Sequence, residues 1–493
     1  MKILKFVRTS AAAAALLTAA SVATAQTWQP LANQPAFTVG ATLLLTDGTV
    51  LAHDEGADFQ AWYKLTPDAS GSYVNGTWSR IASLPAGYAP LYFGSAVLPD
   101  GRVIIEGGEY NFGVPRWTNL GAIYDPLADT WTSVAPPAGW KTIGDAQSAV
   151  LANGTYMQSN CCTKEAALLD PATLTWTSTG SGKFDVHDEE GWTLLPSGQL
   201  LTVDAYVFQY DASGTNSELY TPSTGTWSSA GSTVVQLWDS HCGDASRASF
   251  EVGPAVLRPD KTVFAMGSNG CGAAHNAIYD TRTGRWTAAP DFPQNLGVSD
   301  GPAALETNGN VLIMASNRVF KKGAKFLEWN GTSFTTIGGP PGVRSDSSFY
   351  GHFLQLPTGQ LLFTDFSSDV EVFTPAGAYD PSWRPTIANA ARSVMRGETY
   401  TVTGTQFNGL SQGATYGDDY QSATNYPLVR LVNRATGHVF YCRTHDHSSM
   451  GVATGSKRVS TQFDVPTEAE AGASDLVVVA NGIPSAPVTV TVQ

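Results

Sequence analysis

Asp100-Gly101-Arg102-Val103, then Ile123-Tyr124-Asp125-Pro126 and Thr130-Trp131-Thr132, form the unit whose repetition decides the fold. A short apolar strand, a tight turn and a second strand are followed by an outer pair of strands bearing one large aromatic. The same turn stands at Asp47-Gly48-Thr49-Val50, Asn153-Gly154-Thr155-Tyr156, Ser197-Gly198-Gln199-Leu200, Asp260-Lys261-Thr262-Val263, Asn308-Gly309-Asn310-Val311 and Thr358-Gly359-Gln360-Leu361. Successive turn positions lie 44 to 63 residues apart, a spacing that signals a repeat architecture. Asp-Gly and Asn-Gly supply the positive φ of a twisted two-residue hairpin turn. The outer pair recurs as Leu169-Asp170-Pro171 with Thr175-Trp176-Thr177, Leu219-Tyr220-Thr221-Pro222 with Thr226-Trp227-Ser228, and Ile278-Tyr279-Asp280 with Arg285-Trp286-Thr287. Unit one ends at Trp78 and unit six at Phe334. The seventh unit lacks its own outer strand, but Thr27-Trp28-Gln29-Pro30 has that pattern and is expected to complete it. The spacing therefore predicts an all-β fold, a seven-bladed kelch-like β-propeller over 26–383 closed by its N-terminal strand.

After Trp383-Arg384-Pro385 the pattern changes to short strands at sandwich spacing, such as Thr399-Tyr400-Thr401-Val402 and Leu476-Val477-Val478-Val479. An Ig-like β-sandwich domain over 384–493 is expected. Ahead of the repeats, Lys2, Lys5 and Arg8, the apolar Ala11 to Ala20 and Ala23-Thr24-Ala25 read as a signal peptide, 1–25, making the protein secreted or periplasmic. No stretch is long and apolar enough for a membrane span. The chain of 493 residues carries −14, or −17 once those three basic residues leave. This balance argues against a nucleic-acid partner, because phosphate would be repelled. Only 14% of residues are charged while 42% are hydrophobic, which excludes a disordered chain.

The signal peptide, the Trp28 to Pro35 opening, Phe373-Thr374-Pro375, and Phe463-Asp464-Val465-Pro466 through Asn481-Gly482-Ile483-Pro484-Ser485 together resemble the galactose oxidase family. The resemblance implies a kelch propeller with an Ig-like domain, and oxidation of primary alcohols of sugars by one copper held on two tyrosines and two histidines. In that family one tyrosine is cross-linked to a cysteine, and both come from inner strands about nine residues before the hairpin glycine. The matching positions here are Val39, Tyr92, Asp145, Glu189, Val252, Asp300 and Tyr350. Tyr92 stands in place of the cysteine and Asp145 in place of its tyrosine, so the copper-radical set is incomplete. Phe349-Tyr350 falls on the family's Tyr-His pair, with His352 two residues on, and His445 of Thr444-His445-Asp446-His447 matches the remaining histidine.

The same register brings Tyr92, Asp145, His187, Asp188, Glu189, Glu251, Asp300 and Tyr350 to one channel mouth, with His352 just inside. Clustered carboxylates raise one another's pKa unless a cation sits among them. Asp145, Glu189, Glu251 and Asp300 suit Ca²⁺; adding His187, His352 or His445 suits Zn²⁺ or Cu²⁺. Without a metal, two carboxylates across the mouth could serve as general acid and base on a glycan, and the catalytic candidates are Tyr92, Asp145, Glu189, Asp300 and Tyr350. The remaining reading is that the acids cap strand ends or face water. Loops on that side carry His53-Asp54-Glu55, Tyr110-Asn111-Phe112, Cys161-Cys162, Cys271 and Asp365, and Tyr110, Phe112, Trp117 and Trp238 are candidates for stacking on sugar.

Five cysteines suggest a Cys242–Cys271 disulfide across the two mouth-side loops of unit five, and a vicinal Cys161–Cys162 disulfide or reduced pair, leaving Cys442. The polar, aromatic segment from Gly417-Asp418-Asp419-Tyr420 to Pro427 lines a groove, packs under the propeller, or forms an Ω-loop. The functional expectation is a carbohydrate-directed protein that binds or acts on a glycan or other extracellular ligand. The alternatives are a divergent copper-dependent sugar or alcohol oxidase and a non-catalytic protein-interaction or adhesion propeller. Oligomeric state is not legible.

Overall fold

A computed structural model describes residues 26–207 and 214–493; the expected signal peptide lies outside them. Among the described residues the regular structure is β, with only short 3₁₀ turns and no α-helix. Four-stranded antiparallel sheets recur along the chain. The second unit is typical: Gly94–Val97, Val103–Glu106, Gly121–Asp125 and Thr130–Val134 pair in that order. These repeated sheets fit a propeller. Inner strands of neighbouring units touch, as Gly94–Val97 does Ser148–Val150, and the inner strand of the last, His352–Gln355, touches that of the first, Val39–Leu44.

Closure uses the N-terminal strand. Thr27–Pro30 pairs antiparallel with Glu371–Thr374, Trp28 opposite Phe373. The Trp28 ring lies 4.6 Å from Phe326, 5.7 Å from Phe363 and 4.8 Å from Phe373, and its Nε1 donates to the Gly338 carbonyl at 2.6 Å. It ties the last sheet to its neighbour, so Trp28→Ala is expected to cost about 3 kcal/mol, the loss for removing a large packed aromatic. Chemical denaturation checks this.

The hairpin turns are one residue longer than the two-residue type. Leu45 N–H donates to Thr49 O, Gly48 N–H donates to Leu45 O, and Gly48 has φ 77°. This is a type I turn followed by a left-handed residue. Asp47 Oδ1 stabilises it by accepting from the Thr49 amide at 3.0 Å. In the fifth unit Lys261 takes the left-handed position, at φ 67°.

Residues after Pro385 build a second β unit around Val402, Phe407, Val429, Leu431, Cys442, Phe463 and Val478. It covers the hairpin-turn face of the sheets. Thr444 N–H donates to Thr46 O (3.1 Å), Met450 N–H to Ala152 O (3.0 Å) and Arg443 Nη2 to Asp100 O (2.5 Å). From this unit residues 406–427 leave its strands and run up between the inner strands of the propeller sheets. The plug forms a short strand, Ala414–Thr415, against Ala303–Leu305. It also bonds to four of the surrounding inner strands. Leu194 N–H donates to Gln412 Oε1 (2.8 Å), Leu305 N–H to Gly413 O (2.7 Å), Ser95 Oγ to Gln421 O (3.1 Å) and Ser422 Oγ to Phe353 O (3.0 Å). The segment is thus the axis of the molecule and not a surface loop.

Candidate functional site

The plug delivers Asp418 and Asp419 to the end of the channel where the inner strands begin. Both are buried, with 3% and 2% exposed. They meet the carboxylates placed there by the inner-strand register. Ligand-capable oxygens of Asp145, Asp418 and Asp419 lie within 4.8 Å of one another, and so do those of Glu189, Glu251 and Asp300. The two triads interact: Asp418 feels Asp300 and Glu189, and Asp145 feels Glu189. Six carboxylates therefore crowd together, Glu251, Asp418 and Asp419 buried and Asp145, Glu189 and Asp300 half-buried.

The backbone is bent to put them there. Tyr92 (φ 51°), Glu189 (φ 56°), Phe250 (φ 65°) and Asp300 (φ 45°), none of them glycine, are all left-handed just before an inner strand. Each such residue costs on the order of 1–3 kcal/mol, and such strain is characteristic of functional sites. The approach of the plug is correspondingly close, since a methyl group on Gly417 would collide with the Asp300 carboxylate.

Burial pushes all six carboxyls above the usual carboxylate range, and neighbouring negative charges add to it for each of them. Asp300 is pushed up to about 7, chiefly by burial, against the opposing effect of its hydrogen bond with Glu251. No lysine, arginine or histidine is among the groups that shift these six. Glu251, 5% exposed, leaves Oε2 without a partner, and Asp145 leaves Oδ1 without one. Carboxylates taken out of water need a counter-charge or a proton. All the donors are hard oxygens, which suit Ca²⁺ or a similar cation and not a thiophilic or imidazole-seeking one.

The histidines expected at this cluster go elsewhere. His187 turns into the fourth sheet, where Nδ1 lies 3.0 Å from Glu190 Oε1 and the ring packs on Trp192 and Trp227. His445 stays on the hairpin-turn side, its nitrogens 2.9 Å from Asp446 and 3.1 Å from Asp464. Positive φ at Asp446 ends the strand between His445 and His447, so the two rings diverge, and His447 stacks on Tyr426. His352 is buried beside the plug, stacked on Tyr416 at 5.1 Å and edge-on to Tyr420, with neither ring nitrogen partnered. Burial lowers its pKa to about 4 despite the nearby Glu55. Tyr420 Oη donates to Glu55 Oε1 (2.9 Å) and accepts from the Tyr92 amide (2.9 Å), linking Tyr92 to this aromatic wall. Tyr350 packs on Phe349 and Phe366.

Asp188 leaves the acidic cluster for the cysteines. Cys162 Sγ lies 3.0 Å from Asp188 Oδ2, and Cys161 Sγ 3.8 Å from Oδ1. Cys161 and Cys162 are both free thiols here, with sulfurs 2.7 Å apart, well beyond the roughly 2.05 Å of a disulfide. Both sulfurs bond to Asp188. Cys242 and Cys271 are joined, with Cα atoms 6.1 Å apart. Of the stacking candidates, Phe112 (48% exposed) and Trp117 (41%) face solvent, but Trp238 is buried against Phe250 and drops out.

A second buried acidic cluster carries its own cation. Lys183 Nζ contacts Asp185, Glu190 Oε2 (3.2 Å), Asp204 Oδ1 (3.2 Å) and Glu218 Oε2 (2.8 Å), all fully or nearly fully buried. Its neighbours hold the lysine well above its usual pKa despite burial. Neither this cluster nor the Asp418–Asp419 contribution follows from the register count. The only signal for the latter is the polar, aromatic make-up of the 417–427 segment.

No family model matches the chain. The Kelch-like protein terF of Aspergillus terreus is 26% identical over 125 residues, which is 25% of this chain and 26% of that protein. The chain thus matches about a quarter of the length of this curated relative. A fungal alcohol oxidase of the AA5 family, solved in complex with copper, superposes with TM-score 0.51 at 14% identity, covering 95% of this chain and 99% of that one. A streptogramin B lyase covers 71% of this chain and 98% of its own, at 10% identity and TM-score 0.47. The likeness to the oxidase is one of fold. Both nitrogens of His445 are taken up on the hairpin-turn face, by Asp446 and Asp464. The chain is kelch-like in sequence over one stretch, and its fold is that of a kelch-type propeller.

Proposed function

We propose that this is an exported, carbohydrate-directed protein whose seven-bladed propeller, residues 26–383, holds a divalent cation at its channel mouth and presents it to a glycan. The Ig-like domain, 384–493, supplies the plug that completes the site. The observation that carries the reading is the set of buried Glu251, Asp418 and Asp419 with half-buried Asp145, Glu189 and Asp300, and no basic group among those that shift them in the described residues. Ca²⁺ takes six to eight oxygen ligands, so carboxylates leave positions for the hydroxyls of a sugar. Exposed Trp117 and Phe112 offer apolar faces for the sugar ring beside it.

A second reading, acid–base catalysis on the glycan, is favoured by one feature. Asp300, at about 7, is poised near neutrality and hydrogen-bonded to Glu251, as a proton-transferring pair would be. The divergent copper oxidase has less support, because the donor set is all oxygen.

Binding to a panel of acidic and neutral polysaccharides, with calcium or with chelator, tests the proposal. Calcium-dependent retention that is lost in Glu251→Gln is expected. Retention indifferent to both would overturn it, and reducing ends released in chelator would favour the acid–base reading. Trp117→Ala is expected to weaken glycan binding about tenfold, the equivalent of one aromatic contact of about 1.4 kcal/mol, without changing calcium affinity.

A further inference from the structure

The Cys161–Cys162 turn sits at the rim of this mouth and is built differently from the other cysteines. Cys442 is buried in the core of the C-terminal unit, and Cys242 and Cys271 are already joined. Cys161 is buried, its neighbour Cys162 faces solvent, and Cys162 holds a left-handed φ of 63°. The turn is pinned on both sides. Cys161 N–H donates to Ile143 O and Cys162 N–H to His187 O, both at 2.8 Å. Ile143 and His187 each stand two residues ahead of a mouth carboxylate, Asp145 and Glu189. Asp188 accepts from the Cys162 thiol and so holds that sulfur over its neighbour.

The sulfurs, 2.7 Å apart, are closer than non-bonded sulfurs rest and about 0.7 Å from bonding distance. One thiol is open to attack from solvent and the second waits behind it. This is the arrangement of an attacking and a resolving cysteine.

We propose that Cys161 and Cys162 are a reversible thiol–disulfide couple that exchanges with small-molecule disulfides of the glutathione type. The Cys162 thiolate, its proton released to solvent, attacks the small disulfide and expels one thiolate. The Cys161 sulfur then attacks the mixed disulfide on Cys162, loses its proton, and expels the second thiolate. Two protons and two electrons leave the pair, one small disulfide becomes two small thiols, and an eight-membered ring closes across the turn. Closure withdraws both S–H donors from Asp188 and tightens the turn that ties the third and fourth sheets together beside the mouth. The couple stands on its own geometry, whatever the mouth binds.

The test uses the full mature protein, equilibrated with oxidised or reduced glutathione, alkylated and digested with trypsin. The peptide from Thr142 to Lys164 is expected to be two hydrogens lighter and unalkylated after oxidised glutathione, and doubly alkylated after reduced glutathione, while Cys242–Cys271 stays closed in both. In Cys161→Ser the same treatment is expected to leave a stable glutathione adduct on Cys162, because nothing resolves it. A stable adduct on Cys162 of the unsubstituted protein, or two free thiols after oxidised glutathione, would overturn the proposal. So would a ring that reduced glutathione leaves intact.

Discussion

Stripped of divalent cations, the protein is expected to lose stability as pH rises from about 5 to 8, and calcium to restore it. Most proteins with paired carboxylates do the reverse on this side of neutrality. The six mouth carboxyls have native pKa values raised above those of the unfolded chain. Between the unfolded and native values the native state holds more protons than the unfolded one, so unfolding becomes easier as pH climbs. The contribution is fully present below about pH 4 and is lost as pH passes through the native values, of which Asp300 marks about 7. A bound cation takes the place of those protons. At a concentration about a hundred times its Kd it adds about 2.7 kcal/mol to the native state. Thermal melts at pH 5, 6.5 and 8, with chelator and with calcium, check both parts. Replacing Asp418 and Asp419 together with Asn is expected to flatten the pH dependence and abolish the calcium response. The variant should be at least as stable as the parent in chelator at pH 8, because two uncompensated charges are gone.

The second large effect is at Lys183. Its ammonium is the only cation among Asp185, Glu190, Asp204 and Glu218 in the described residues. Burial pushes Glu190 and Asp204 up, and Lys183 opposes it. Removing one partner of a buried ionic set leaves uncompensated charge and costs about 3–5 kcal/mol. Lys183→Met is expected to lose that much at pH 8 and less at pH 5, where the carboxyls carry protons. Urea unfolding at the two pH values measures the difference. An equal loss at both would mean that packing of the buried lysine side chain, and not its charge, stabilises the fourth sheet.

The repeat was legible because the units share a local grammar: an Asx or Ser/Thr turn, a left-handed residue that is glycine in all but the fifth, an aromatic in the outer pair. Trp28 declared the closing strand because that grammar appeared once before the first hairpin. Counting back along strands of constant register reached Asp145, Glu189 and Asp300, and Val252 next to Glu251. What failed was anything set by a path through the third dimension. His445 matched a family position, but the element that climbs the channel is the 406–427 segment, whose route depends on contacts such as Gln412 with Leu194 and Ser422 with Phe353. His187 and Asp188 sit two residues and one residue from Glu189, yet left-handed backbone at Glu189 turns them away from the mouth. Asp188 goes to the thiols and His187 into the sheet. Lys183 gave no signal because its partners come from four separate places in the sequence.

The central claim is that the channel mouth is a hard-cation site built jointly by the inner strands and the plug. Calorimetric titration of calcium into chelator-treated protein tests it most directly, with the Glu251→Gln/Asp300→Asn variant alongside. Saturable binding by the parent, reduced at least a hundredfold in the variant, is the expected result. No calcium binding by a folded parent, or equal binding by both proteins, would contradict it.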